Sequence, residues 1–161
     1  MIVRLLTVAA LLAACGTRVQ FEHLDVCPNP ARESMVWAYV SGVVTDVVDA
    51  RSFRIRTDDG RSVTVTIANV GTATAAEAVG ALRRLVQGKK VEVFVNPKSS
   101  EHLDVVGEVH VARTDVGHEL LRTGMAAFET APAYTVSAYS ECVNEIASRE
   151  AQQQRLGVWA R

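Results

Sequence analysis

Along most of the chain the apolar positions recur with a period of two, switch to the longer helical period, and switch back. Residues 36–48 are rich in Val, Trp and Tyr and predict a long first strand. Ser52 to Thr57 alternates strictly, with Phe53 and Ile55 on one face and Ser52, Arg54 and Arg56 on the other. Asp58-Asp59-Gly60 predicts a hairpin turn, after which Val63, Val65 and Ile67 continue the inward face. From Thr74 to Gln87 the residues Ala78, Ala81, Leu82 and Leu85 fall on one helical stripe. Thr74 is placed to cap that helix with Glu77 three residues on, and Gly88 is its stop signal. Val91–Val95 and Val105–Val111 alternate again, joined through Pro97-Lys98-Ser99-Ser100. Asp115 to Arg122 predicts a short helix closed by Gly124, and Val136 to Arg155 a last helix ended by Gly157.

The order β-β-β-α-β-β-α-α places a helix between the third and fourth of five short strands. It predicts an α+β, mainly β domain over residues 35–161, a five-stranded OB-type barrel with three helices. Residues 16–34 are polar and turn-rich around Cys27-Pro28-Asn29-Pro30, and predict a tether.

The first residues have a different pattern. Arg4 precedes an apolar run from Leu5 to Ala14, broken only by Thr7. That run is far shorter than the ~20 residues a membrane-spanning helix needs. It ends in Leu12-Ala13-Ala14-Cys15, with small residues before a cysteine, as at a signal-peptidase site. Leu-Ala-Ala-Cys resembles the bacterial lipobox, whose cysteine is lipidated and becomes the first residue of the mature protein. The expectation is a lipoprotein signal peptide over residues 1–14 and a lipidated N-terminus and tether over 15–34. The other reading is a plain signal peptide beside a chance cysteine. Two acyl chains on Cys15 suffice for stable attachment, at about 0.8 kcal/mol per buried methylene. The expected location is therefore the extracytoplasmic face of a cell membrane.

Export makes the remaining cysteines an even pair in an oxidising compartment, where Cys27 and Cys142 are expected to bridge. Closing a loop of about 115 residues is worth about 4–5 kcal/mol in the chain-entropy model. Two buried thiols, or a metal pair completed by a histidine, are the alternatives.

Composition narrows the function classes. The chain has 161 residues, 48% apolar and 22% charged, the balance of one globular domain with short extras. Its formal net charge of −1 supplies no basic field for nucleic acid. His23, His102, His110 and His118 show no ligand spacing, and the acids Asp46, Asp49, Glu77, Asp104 and Glu108 read as solvated background. Neither a metal nor a cofactor is predicted. Arg51, Arg54, Arg56 and Arg61 form a small basic cluster on the second hairpin, a possible ligand surface without aromatics beside it. Trp37, Tyr39, Tyr134 and Tyr139 read as core or rim packing.

Three local signatures accompany the element order: Asp49-Ala50-Arg51-Ser52 after the first strand, Leu120-Leu121-Arg122-Thr123-Gly124-Met125-Ala126, and Arg155-Leu156-Gly157-Val158-Trp159 after Glu150-Ala151. Together these resemble the staphylococcal nuclease family over about three quarters of the chain, with Trp159 expected to pack the final turn. The resemblance implies calcium-assisted phosphodiester hydrolysis. Two aspartates would hold the ion, a glutamate the water, and two arginines the phosphate, because a hard cation takes carboxylate oxygens and phosphoryl charge takes guanidinium donors.

The residues at those positions are different. The family pattern Asp-Gly-Asp-Thr falls on Asp49-Ala50-Arg51-Ser52, so Arg51 stands where a metal aspartate is expected. The pattern Arg-Leu-x-x-Ile/Val-Asp-x-Pro-Glu aligns on residues 66–74, giving Thr66 for its arginine, Gly71 for its aspartate and Thr74 for its glutamate. The Gly-Arg motif falls on Val105-Val106 before Gly107, with Val106 opposite the second arginine; Asp49, Thr72 and Gly107 survive. Losing a single phosphate donor typically costs ~10²–10³ in rate. The expectation is a lipid-anchored domain without catalytic residues that binds an envelope protein, polymer or lipid. An exported nuclease or phosphodiesterase with a rearranged site is the enzymatic alternative. Non-catalytic nucleic-acid binding through the Arg51–Arg61 hairpin is the third.

Overall fold

The computed structural model describes residues 23, 25–30, 36–71 and 76–160. Cys15 and the predicted signal segment, Thr72, Thr74 and the expected cap of the first helix lie outside the described residues.

Among the described residues, six strands and three helices follow in order: β1 (Ala38–Val47), β2 (Ser52–Thr57), β3 (Ser62–Ile67), α1 (Ala76–Val86), β4 (Lys90–Val95), β5 (Asp104–Val111), β6 (Thr114–Asp115), α2 (Val116–Arg122) and α3 (Ala138–Gln153). Single 3-10 turns occupy Pro97–Ser99 and Gly157–Trp159. The sheet runs β3-β2-β1-β4-β5-β6, and a parallel β3–β5 pairing closes the first five strands into a barrel. This is the expected OB-type α+β architecture. Closure leaves no open edge among the five barrel strands.

The alternation in the sequence is the alternation of the barrel wall. Phe53, Ile55, Val63, Val65, Val91, Val93 and Val95 are wholly buried, while Arg54, Arg56 and Glu92 between them face out. Leu82 and Val86 of α1 and Leu120 and Leu121 of α2 close the core. Each such side chain contributes roughly 1.5–3 kcal/mol by leaving water.

The structure moves several boundaries. The buried stripe of α1 is Ala78, Ala81, Leu82 and Val86, and Leu85 packs at its margin. Asp115 precedes α2 as its cap, accepting the His118 N–H. The last helix starts at Ala138, two residues later than expected, because the Ser137 side chain accepts the Ser140 N–H and ends the extended segment there. The two-residue strand β6 was not expected.

Cys27 and Cys142 form a disulfide with a Cα–Cα distance of 5.7 Å, which settles the three alternatives in favour of the bridge. The bond fastens residues 25–30 to the first turns of α3. Among the described residues, no helix is long and apolar enough to cross a membrane.

Candidate functional site

The positions that the resemblance assigns to metal and phosphate do come together. The Asp49 Oδ1 accepts the Arg51 N–H at 2.8 Å, which shapes the turn between β1 and β2. The carbonyl of Arg51 accepts the Ile67 N–H at 2.9 Å. Ser52 stands opposite Thr66, and Thr66 opposite Val106, so three adjacent strands carry these residues in register. Gly71 follows β3, with its N–H donated to the Ala127 carbonyl at 2.9 Å.

Their chemistry is inward-looking. The Arg51 guanidinium donates to Glu129 at 3.2 Å and to the Val70 carbonyl at 3.3 Å. The Ser52 and Thr66 hydroxyls share a 3.3 Å hydrogen bond. A side chain at position 71 would begin 3.1 Å from the Ala127 oxygen and 3.4 Å from a Glu129 oxygen. Calcium does not fit this donor set. Asp49 supplies one carboxylate already engaged by backbone, and Arg51 brings a guanidinium where the resemblance expects a second metal aspartate. Glu129, which the sequence reading did not single out, is the acid that holds that guanidinium in place.

The other arginines are also engaged. Arg54 pairs with Asp46 at 3.5 Å, and Arg61 with Asp59 at 2.8 Å and Glu101 at 3.9 Å. Arg56 donates to the Gly60 carbonyl at 3.4 Å. The hairpin is therefore a surface of alternating sign, which weakens any field aimed at phosphate. Tyr39 and Tyr134 are exposed, against the expectation that they pack.

A large cavity lies elsewhere. It measures about 820 Å³ and opens between the outer face of β4 and β5, the turn into α2, and the start of α3. Pro30 and Trp37 close one side, so the Cys27–Cys142 bridge holds part of its rim. Trp37, Phe94 and Tyr139 give it an aromatic wall.

Its polar centre is a carboxylate-imidazole cluster. Strand alternation turns Glu108 and His110 to the same outer face, with Val109 between them in the core. Glu108 Oε1 and His110 Nε2 lie 2.6 Å apart, and Ser140 Oγ donates to Glu108 Oε2 at 2.5 Å. Phe94 meets the His110 ring edge to face at 5.3 Å. Asp115 reaches the same place from the α2 cap, and ligand atoms of Glu108, His110 and Asp115 all lie within 4.8 Å of one another. Deeper in, His118 Nδ1 and Asn144 Oδ1 lie 3.2 Å apart.

Burial pushes the Glu108 carboxyl up, but hydrogen bonds from His110 and Ser140 outweigh it and hold the group below its usual range. The hydrogen bond to Glu108 raises His110 against the opposing effect of burial. Burial, then the charge of Glu108, raises Asp115.

The sequence reading placed Glu108 among scattered acids and found no ligand spacing in His110 or His118. The structure brings Glu108 and His110 together with Asp115. The spacing that unites them is i, i+2 on a strand, completed across a tight turn, and not the i, i+4 spacing of a helix.

A family model described as Staphylococcal nuclease homologue matches residues 58–161. The match takes in the strands from β3 onward and all three helices. No curated protein matches the chain.

Proposed function

Since the chain belongs to the staphylococcal nuclease homologue family, we propose that it is a binding module on that scaffold, without the family's hydrolytic chemistry. One observation carries this reading: Arg51 replaces a metal-holding acid and is tied to Glu129 and the Val70 carbonyl. With Thr66 and Val106 at the phosphate positions, neither of the family's guanidinium clamps is available. The cavity at Glu108 and His110 is the concave, partly aromatic surface on which a partner fits.

The N-terminal sequence and the bridge support an extracytoplasmic place of action. A lipid on Cys15 would anchor the chain on the outer side of a cell membrane. The disulfide supports that, because such bonds persist in oxidising compartments. Partners are then envelope components: a protein, a polymer or a lipid.

Two measurements test this. The full chain is incubated with single- and double-stranded DNA and RNA in calcium. The expected outcome is no cleavage above that of an Arg51→Ala variant; calcium-dependent cleavage that persists through stringent purification overturns the reading. In a bacterial host, Cys15→Ser is expected to release the protein from membranes. Continued membrane association with the signal cleaved would remove the lipid anchor.

A further inference from the structure

We propose that Glu108, His110 and Asp115 form a site for a divalent ion of the zinc class, open to the cavity. The inference rests on the cavity being the binding face of the domain, and is independent of whether the domain hydrolyses phosphodiesters.

The donor set comes first. One imidazole and two carboxylates, whose ligand atoms lie within 4.8 Å of one another, converge from β5 and the α2 cap. Two ligands of one tetrahedral zinc ion, each about 2.1 Å away, sit about 3.4 Å apart. Separations of up to 4.8 Å must close by up to about 1.4 Å, and the 2.6 Å Glu108–His110 contact must open, both within reach of side-chain rotation. The strand and the helix cap hold the backbone of all three residues.

The surroundings orient the ligands. Ser140 Oγ donates to Glu108, and the His118 N–H donates to Asp115 at 3.0 Å. Outer contacts of this kind fix ligand carboxylates and tune their affinity.

Charge gives the second argument. Glu108 and His110 keep only 20% and 24% of their side-chain surface exposed. Even with a protonated imidazole, two carboxylates leave one negative charge uncompensated. Among the described residues no lysine or arginine forms an ion pair with either acid. A divalent cation balances the cluster once the imidazole gives up its proton.

The ligand types select the ion. Calcium takes six to eight oxygens, whereas an imidazole with two carboxylates suits zinc and its neighbours. Three protein ligands leave a fourth position, and here that position faces a cavity of about 820 Å³. A water or an anionic group of a partner can occupy it.

The test uses the full chain, stripped with chelator, titrated with Zn²⁺ by calorimetry and with Co²⁺ by visible absorption. Because Cys15 in chain that has not been lipidated offers a competing thiol, each titration is repeated in Cys15→Ser. One ion per chain is expected, weakened at least tenfold by His110→Asn and by Asp115→Asn, and about tenfold by Ser140→Ala. His102→Asn, at an exposed histidine away from the cavity, is expected to leave binding unchanged. Circular dichroism of each variant separates lost ligands from lost fold. The absence of Zn²⁺ binding at neutral pH, or binding indifferent to His110→Asn and Asp115→Asn in folded protein, overturns the proposal; the cluster is then a self-contained imidazolium-carboxylate pair. Neither result bears on the cleavage assay, so the two readings fail separately.

Discussion

The Arg51 guanidinium lies 3.2 Å from the Glu129 carboxylate, seventy-eight residues along the chain. The same group donates to the Val70 carbonyl, so one side chain ties the β1–β2 turn, the end of β3 and the segment after α2. The position that the resemblance gives to a metal ligand has become a structural clasp.

Restoring an acid there is expected to fail as a repair. In Arg51→Asp the new carboxylate meets Glu129 and Asp49 with no cation between them, while Thr66 and Val106 still offer no phosphate clamp. No calcium-dependent cleavage is expected, and urea unfolding should show a loss of about 1–2 kcal/mol from the ion pair and the carbonyl contact. The pair is partly exposed, with 29% and 57% of the side-chain surfaces open. A double-mutant cycle of Arg51→Ala and Glu129→Ala should therefore give a coupling of about 1 kcal/mol or less. Calcium-dependent cleavage by Arg51→Asp, or a much larger coupling, contradicts this account.

Gly124 and Gly157 face each other backbone to backbone. A Cβ on Gly124 would fall 2.3 Å from the Leu156 oxygen, and one on Gly157 would fall 2.2 Å from the Gly124 oxygen. Both have positive φ, +69° and +51°, and the Val158 N–H donates to the Gly124 carbonyl at 2.8 Å. Gly124→Ala and Gly157→Ala should each cost about 2–4 kcal/mol, from a left-handed backbone plus a clash with main chain that cannot rotate away. Thermal and urea melts measure it. A loss under about 0.5 kcal/mol at either site would mean that the two turns are free to separate.

That contact explains why two of the three signatures were legible as a set: Leu120–Ala126 and Arg155–Trp159 contain the two halves of one joint. The strands were legible for a simpler reason. Phe53 with Ile55, and Val63 with Val65 and Ile67, alternate over neighbouring residues, and the barrel wall imposes that same period. The Arg51–Glu129 pair was not legible, because it joins two irregular segments that carry no periodicity. Glu108 and His110 were visible as residues, but their meaning depends on Asp115 arriving through the short β5–β6 ribbon and Ser140 through α3. Neither approach leaves a trace in local sequence pattern.

The Cys27–Cys142 bridge spans a sequence separation of 115 residues. Cys27→Ser with Cys142→Ser should lower stability by about 4–5 kcal/mol if restriction of the unfolded chain dominates. The barrel core does not include the bridge, so the spectroscopic signature of the strands should persist below the lowered melting temperature. Tryptophan fluorescence should change as well, because Trp37 lines the same cavity as Pro30, three residues from Cys27. Equal melting temperatures for the oxidised protein and the double variant would show that the bridge closes a loop already held by packing.

The Glu108–His110 contact of 2.6 Å makes stability depend on pH in the metal-free protein. The hydrogen bond to Glu108 raises His110 above its ordinary 6.5 against the effect of burial, and the charges of Glu108, Asp115 and Glu92 add to it. His118, Glu119 and Arg113 also face the cavity. A histidine raised on folding contributes stability that is complete below the unfolded value of 6.5 and fades as pH rises through the folded one. Glu108 is held below its ordinary 4.5, so its contribution is present above that value and fades as pH falls. Asp115 is raised above its ordinary 3.8; its favourable contribution exists only at lower pH and opposes that of Glu108 on the acid side. The pair is therefore strongest between 4.5 and 6.5. Urea unfolding in chelator, from about pH 5 to about pH 9, should show stability falling on the alkaline side in the wild type. The fall should be absent in His110→Asn and shifted toward lower pH in Glu108→Gln, where the imidazole loses its charged acceptor. NMR titration of the His110 ring gives the same transition directly. Parallel stability profiles for wild type and His110→Asn would place the pH dependence elsewhere in the molecule.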